Sequence, residues 1–273
     1  FTNATPGAAN GPDGLEKYPP DEEQSGEEPG SGGDEDIDGP REGEFAVVLD
    51  VSRPVAGKAM KAAVTGERTG NVTFAWFVRE PIGAYGDAVC EGREYTPTAA
   101  DYEHWVRVVA TDEGGASVNA EFYFSKLPIV YINTDDGQPV TVKTEYKGAT
   151  IRVQGNEQYD QQYEGKIEIK GRGNTSWLQY RQKPYRIKLD TKTDLFGFGR
   201  NKHWILLSCY ADTAMLRNRL GSELAKALGV VGMDMTWTAC ILNGRYNGVY
   251  MLCESIRIAR NRVDISDWED RGE

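Results

Sequence analysis

The chain has 273 residues, enough for two ordinary domains, and only 39% of them are apolar, which leaves part of the sequence outside any core. Its net charge of −11 is uneven: residues 1–44 hold 13 acids against Lys17 and Arg41, while residues 127–273 come to +3, a balance that does not call for nucleic acid. No run of 18 apolar residues occurs, so no segment reads as a transmembrane helix, and four scattered cysteines without a CxxC pair fit poorly with a disulfide-dense scaffold or a structural zinc site and leave oxidised pairing open for an exported chain.

Phe1 reads as the start of a processed or trimmed chain. Residues 1–44 are rich in Gly, Pro, Ser, Asp and Glu and nearly free of aromatic and β-branched residues. Such a stretch cannot bury enough surface to offset its ordering entropy, so it is expected to be a disordered acidic linker. From 45 to 126 strand-like runs recur at short spacing, at 45–51, 72–78, 105–111 and 121–124, parted by Gly, Asp and Glu. This pattern predicts an immunoglobulin-like β-sandwich with Trp76 central in its core and without the paired cysteines of antibody domains. Trp76, Trp105 and Phe122 suit core packing better than the alternative, a face for glycan contact.

From Leu127 the text changes. Strand signals at 128–133, 139–144, 150–153, 166–170, 185–189 and 204–208 make a meander. One helix follows, with Asp212 as its cap, Leu216, Leu220, Leu224 and Leu228 at i+4 steps and Gly229 at its end. Asn243-Gly244 then marks a hairpin turn between 239–242 and 249–252. Strands, a helix and a hairpin predict an α+β lobe over 127–273. Cys209, Cys240 and Cys253 sit in apolar runs and read as buried thiols.

Several residues here are able to carry chemistry. Gly171-Arg172-Gly173 ends a strand, where glycines let backbone N–H groups converge on an anion or simply make a strand-to-loop turn. Tyr185, Ile187 and Leu189 share one face by the two-residue period, and extending that phase across Pro184 puts Lys183 on the apolar side, with Arg186 and Lys188 opposite. Either Lys183 leans inward to meet a carboxylate or phosphate, or it precedes the true strand and snorkels out. Arg217 borders the leucine stripe and faces either a phosphate or Asp212. Glu254 ends an apolar strand and partners Lys183, holds a metal or faces solvent. His104 and His203 have no neighbours suited to a triad or a zinc site. Arg257, Arg260 and Arg262 read as a solvated face.

Five ordered blocks together resemble the CotH kinase family. They are Lys-Gly-Arg-Gly-Asn-Thr-Ser-Trp at 170–177, Lys-Pro-Tyr-Arg-Ile-Lys-Leu at 183–189, Trp-Ile-Leu-Leu-Ser-Cys-Tyr-Ala-Asp at 204–212, Leu-Arg-Asn-Arg-Leu at 216–220 and Leu-Asn-Gly-Arg-Tyr-Asn-Gly-Val-Tyr-Met-Leu-Cys-Glu-Ser-Ile at 242–256, with Asn-Arg-Val-Asp-Ile at 261–265 in keeping. The resemblance covers 127–273 and implies a divergent, secretory-kinase-like lobe. It further implies an exported bacterial enzyme of the cell or spore surface, using ATP and Mg2+ to phosphorylate Ser of surface or coat proteins. Lys183 would then hold nucleotide phosphates with Glu254 or Glu223 as its ion-pair partner, and Arg172 and Arg217 would be supporting cations. The family's catalytic and metal-binding aspartates lie downstream of the Glu-Ser-Ile block and match no position here. The chain is thus expected to be either the front portion of a longer kinase or a remnant that does not catalyse. The alternative is a non-catalytic surface-binding protein that uses the sandwich and a kinase-like scaffold.

Overall fold

The computed structural model describes residues 43–258 and 262–265. The linker expected over 1–44 therefore lies outside the described residues except for Gly43 and Glu44, and so do Arg260 and Asn261.

The first strands form two antiparallel sheets. One contains β1 (Ala46–Leu49), β2 (Met60–Thr65) and β5 (Glu94–Tyr95); the other contains, in spatial order, β4 (Cys90–Glu91), β3 (Val72–Arg79), β6 (His104–Asp112) and β7 (Ser117–Phe124). Alternate residues of facing strands meet in one core: Met60 and Ala62 from β2, Phe74 and Trp76 from β3, Val106, Val108 and Ala110 from β6. Trp76 is fully buried, its indole N–H donating to the Gly92 carbonyl at 2.9 Å and its ring stacked on Tyr95. Trp105 is buried as well. Packing, rather than a sugar-facing surface, uses both indoles.

The second half departs from the α+β lobe read from the sequence. β8 (Ile129–Thr134), β9 (Lys147–Gln154), β10 (Gln162–Gly171), β11 (Tyr185–Asp194), β12 (Arg200–Ser208), β13 (Met235–Leu242) and β14 (Arg245–Glu254) close into a barrel in the order β10-β11-β12-β14-β13-β8-β9. The described residues are nearly all β, with two short helices, α1 (Thr175–Gln179) and α2 (Arg217–Ala227). Closure comes from β8, which pairs antiparallel with β9 and parallel with β13, so that neither end of the meander is left as an edge. The segment 139–144, expected as a strand, is a loop. Asn243 and Gly244 both adopt positive φ (48° and 69°), and the β13–β14 hairpin turns there.

The period of two decides what fills the barrel. Ala149, Ile151 and Val153, then Ile167 and Ile169, then Tyr185, Ile187 and Leu189, then Trp204 and Leu206, then Tyr250 and Leu252 all point inward to one apolar core. Outside, three surfaces differ. The β8–β13 pair is covered by Trp105 and Tyr123 of the front sheets, with Tyr123 stacked on Tyr246 at 4.9 Å. The outer side of β12, β14 and β13 is sulfur-rich (Cys209, Met235, Met251 and Cys253) and lies under Met215 and Met233 of the α2 region. The outer side of β10 and β11 carries Lys170, Arg186 and Lys188, with the Tyr146 ring against the two lysines and Arg186 exposed.

Candidate functional site

β10 ends at Gly171, which lies flat under the Trp177 ring of α1. A Cβ at this position would be driven into the indole, so only glycine fits. Arg172 follows, and its N–H donates to the Pro184 carbonyl at 3.0 Å, fixing it beside the start of β11. The next turn is held from outside: Lys143 Nζ donates to the Gly173 carbonyl and to Asn174 Oδ1, each at 3.1 Å. The functional group this loop offers is therefore the Arg172 side chain.

That guanidinium is half-buried, and its pKa is held below the ordinary arginine value by desolvation and by the charge of Arg186. No carboxylate among the described residues pairs with it. Arg186 faces the same outer side and is exposed. Lys188, two residues on, pairs with Glu168 across the β10–β11 ladder and lies level with His203 on β12. The His203 imidazole is pushed below its usual value, first by burial and then by Arg257, Lys188, Arg186 and Lys202. Of these cations Lys188 has a close acid. The outer wall of β10–β12 thus concentrates positive charge.

Lys183 lies level with Tyr250, whose hydroxyl donates to the Lys183 carbonyl at 2.9 Å. Its amine is half-buried over the Trp177 ring and donates to the Trp177 carbonyl at 2.7 Å, one of the free carbonyls at the end of α1. The pairing expected between Lys183 and Glu254 does not form. Both residues share the inward phase, but they stand about four residues apart along the strand direction, roughly 13 Å, with Leu252 between.

Glu254 instead closes the far end of the barrel. It pairs with Arg262, and the two side chains are 9% and 1% exposed. Its other oxygen accepts the Asp234 N–H at 2.8 Å. Arg262, read from the sequence as part of a solvated face, lies over Trp204 and donates to the Phe198 carbonyl at 2.8 Å. Burial raises the Glu254 carboxyl above its usual value, and Arg262 and the Asp234 N–H pull it back. From Asp234 the ionic chain continues to Lys226, from there to Glu223, and on to Arg219. Glu223 is accordingly a link on α2 and not a partner of Lys183. Arg217 stands out from α2 with Asp212 3.7 Å away; the N-cap position falls on Leu216, which makes no side-chain cap bond, and not on Asp212 as read from the sequence, although the Asp212 carboxylate reaches over from the preceding turn to accept the Arg217 N–H at 2.7 Å.

The structure thus separates the five residues singled out from the sequence. Arg172 belongs to the cationic wall, Lys183 to the mouth of the barrel, Glu254 and Glu223 to the ionic chain, and Arg217 to the free side of α2. Sequence reasoning missed Arg186, Lys202, His203 and Arg257 as neighbours, although the outward phase of Arg186 and Lys188 was readable from β11. Among the described residues no group of three His, Cys, Asp or Glu side chains is placed to hold a metal ion, and no helix is long and apolar enough to cross a membrane.

A family model described as CotH kinase protein matches residues 167–269. The match opens within β10, after the first two barrel strands, and takes in the cationic wall, α2 and the β13–β14 hairpin. No curated protein matches the chain.

Proposed function

We propose that residues 127–273 are the front portion of a CotH-type kinase domain, whose cationic wall around Arg172 takes the phosphates of ATP. In this reading the domain belongs to an exported protein of a bacterial cell or spore surface, set behind an immunoglobulin-like module and an acidic tether, and its acceptor is Ser of a surface or coat protein. The observation that carries the reading is the Arg172 guanidinium. It is desolvated, with no acid among the described residues to compensate it, beside Arg186, inside the segment that matches the family. A phosphate oxygen supplies the missing counter-charge through charge-assisted hydrogen bonds.

These residues fit the anionic end of the nucleotide; no carboxylate set among the described residues fits Mg2+. When bound, ATP supplies the phosphoryl group. The chain's own contribution is to hold and orient its charge, which is the main part of phosphoryl-transfer catalysis. Lys183 spends one of its three N–H groups on Trp177 and keeps two for a phosphate at the barrel mouth. Glu254 and Glu223 act by fixing α2, and Arg217 adds an exposed cation.

NMR titration of the chain with ATP tests this. The expected result is roughly millimolar binding that weakens with salt, raises the pKa of His203, and is lost in Arg172→Ala with the fold intact. Binding unchanged in Arg172→Ala, or no response at His203, overturns the assignment, and micromolar affinity contradicts the reading of a front portion. The second reading, a non-catalytic surface-binding scaffold, is favoured by Lys183 and Glu254 both having structural partners. It predicts no response to ATP at all.

A further inference from the structure

α2 packs with its polar side inward. At about 100° per residue Arg219, Ser222 and Lys226 share one flank, and this flank meets the barrel. Ser222 Oγ donates to the Met233 carbonyl at 2.6 Å, Arg219 donates to the Met235 carbonyl, and Lys226 pairs with Asp234. Leu216, Leu220, Leu224 and Leu228 follow one another along the outer flank, and Val230 and Val231 extend it. These six side chains are between 52% and 71% exposed. A solvent-facing helix flank is ordinarily polar. A contiguous apolar patch on the order of 600 Å2 is instead the size that marks an interaction site on a soluble chain.

We propose that this leucine ridge pairs with the same ridge on a second copy of the chain, α2 against α2, antiparallel about a two-fold axis. The ridge runs in i+4 steps, and two such ridges interdigitate at the commonest helix crossing. A two-fold contact must be self-complementary, and this one is. Antiparallel pairing sets Leu220 against the partner's Leu224 and Leu216 against the partner's Leu228. It also brings Arg217, whose side chain is 80% exposed, to the C-terminal end of the facing helix, where a cation is favoured. Two ridges together bury on the order of 1,200 Å2, the lower bound for a specific, stable interface. The inference shares only Arg217 with the nucleotide reading and does not depend on it, since none of the six ridge residues lies on the cationic wall.

Sedimentation equilibrium of the full chain over roughly 1 to 100 µM is the test, because a dimer follows mass action. The expected result is a monomer–dimer equilibrium with a dissociation constant in the micromolar range, weakened at least tenfold in Leu220→Asp and in Leu224→Asp. Circular dichroism of both variants is expected to stay unchanged, because the replaced side chains are already in solvent. Hydrogen exchange gives a second readout on the unaltered chain: amides of 216–231 gain protection as concentration rises. A monomer throughout, which would leave the ridge to a different partner, overturns the proposal. So does an open series of larger species, or an aspartate variant that dimerises as before.

Discussion

Arg262→Ala is the perturbation that tests most sharply how the barrel is closed. The substitution leaves the Glu254 carboxylate buried with the Asp234 N–H as its remaining hydrogen-bond partner among the described residues and removes the cation over Trp204. Breaking a buried pair by deleting one member costs about 3–5 kcal/mol, because the survivor is an uncompensated charge. For a chain of this size that corresponds to a fall in Tm of roughly 10 °C. The pH dependence follows from the raised carboxyl. An acid whose folded pKa lies above its unfolded value binds its proton more readily in the folded state, so its effect on stability is most favourable below the ordinary value of 4.5 and worsens as pH rises through the folded pKa. Without Arg262 that pKa climbs further. The deficit of Arg262→Ala relative to wild type is therefore expected to be largest at pH 7 and to shrink by about 1.4 kcal/mol per pH unit as the carboxyl takes up its proton. The double variant Glu254→Gln/Arg262→Met, which buries no charge, is expected to recover most of the loss. Urea denaturation followed by circular dichroism at pH 7 and pH 5 measures all of this. A deficit below about 1 kcal/mol at pH 7, or one that is equal at both pH values, refutes the reasoning.

Two further outcomes follow from the packing. Gly171→Ala forces a methyl into the Trp177 ring and is expected to cost about 1–3 kcal/mol in thermal or urea unfolding, while a neutral result means α1 is free to move aside. The thiols should react unequally. Burial pushes Cys240 and Cys253 up to about 12 and raises Cys209, whereas Cys90 is only partly covered. Native protein should therefore show one fast thiol toward an aromatic disulfide reagent and four after unfolding, and a second fast thiol in the native state would show that the sulfur-rich layer beneath α2 opens.

How much of this was readable beforehand depends on the range of the signal. The alternation Tyr185, Ile187, Leu189 gave the inward face of β11, and Asn243-Gly244 gave the hairpin, because a strand's phase and a tight turn are written in neighbouring residues. Closure was not legible. It rests on β8 pairing with β13, whose partners Ile129 and Ala239 lie more than a hundred residues apart, and no local period carries that information, so the same strands were read as an α+β lobe. The site shows the same limit. Periodicity put Lys183 on the apolar face, and Glu254 was read as the end of an apolar strand, but neither signal gave their level along the barrel, and the true partner of Glu254 was an arginine in a run that composition had assigned to solvent.

The orientation of α2 turns on comparable magnitudes. Four leucines left about half exposed forgo roughly 1 kcal/mol each against full burial, or about 4 kcal/mol. The inward links of Arg219, Ser222 and Lys226 contribute about 1–1.5 kcal/mol apiece, which is nearly the same sum. Hydrophobicity alone therefore does not choose which flank of α2 meets the barrel. The choice falls to the partners at 233–235, and behind them to Glu254, whose carboxylate holds the Asp234 N–H. The residue expected to pair with a nucleotide-binding lysine thus serves to turn four leucines toward solvent, and a surface that covers them recovers the forgone burial without disturbing the ionic chain.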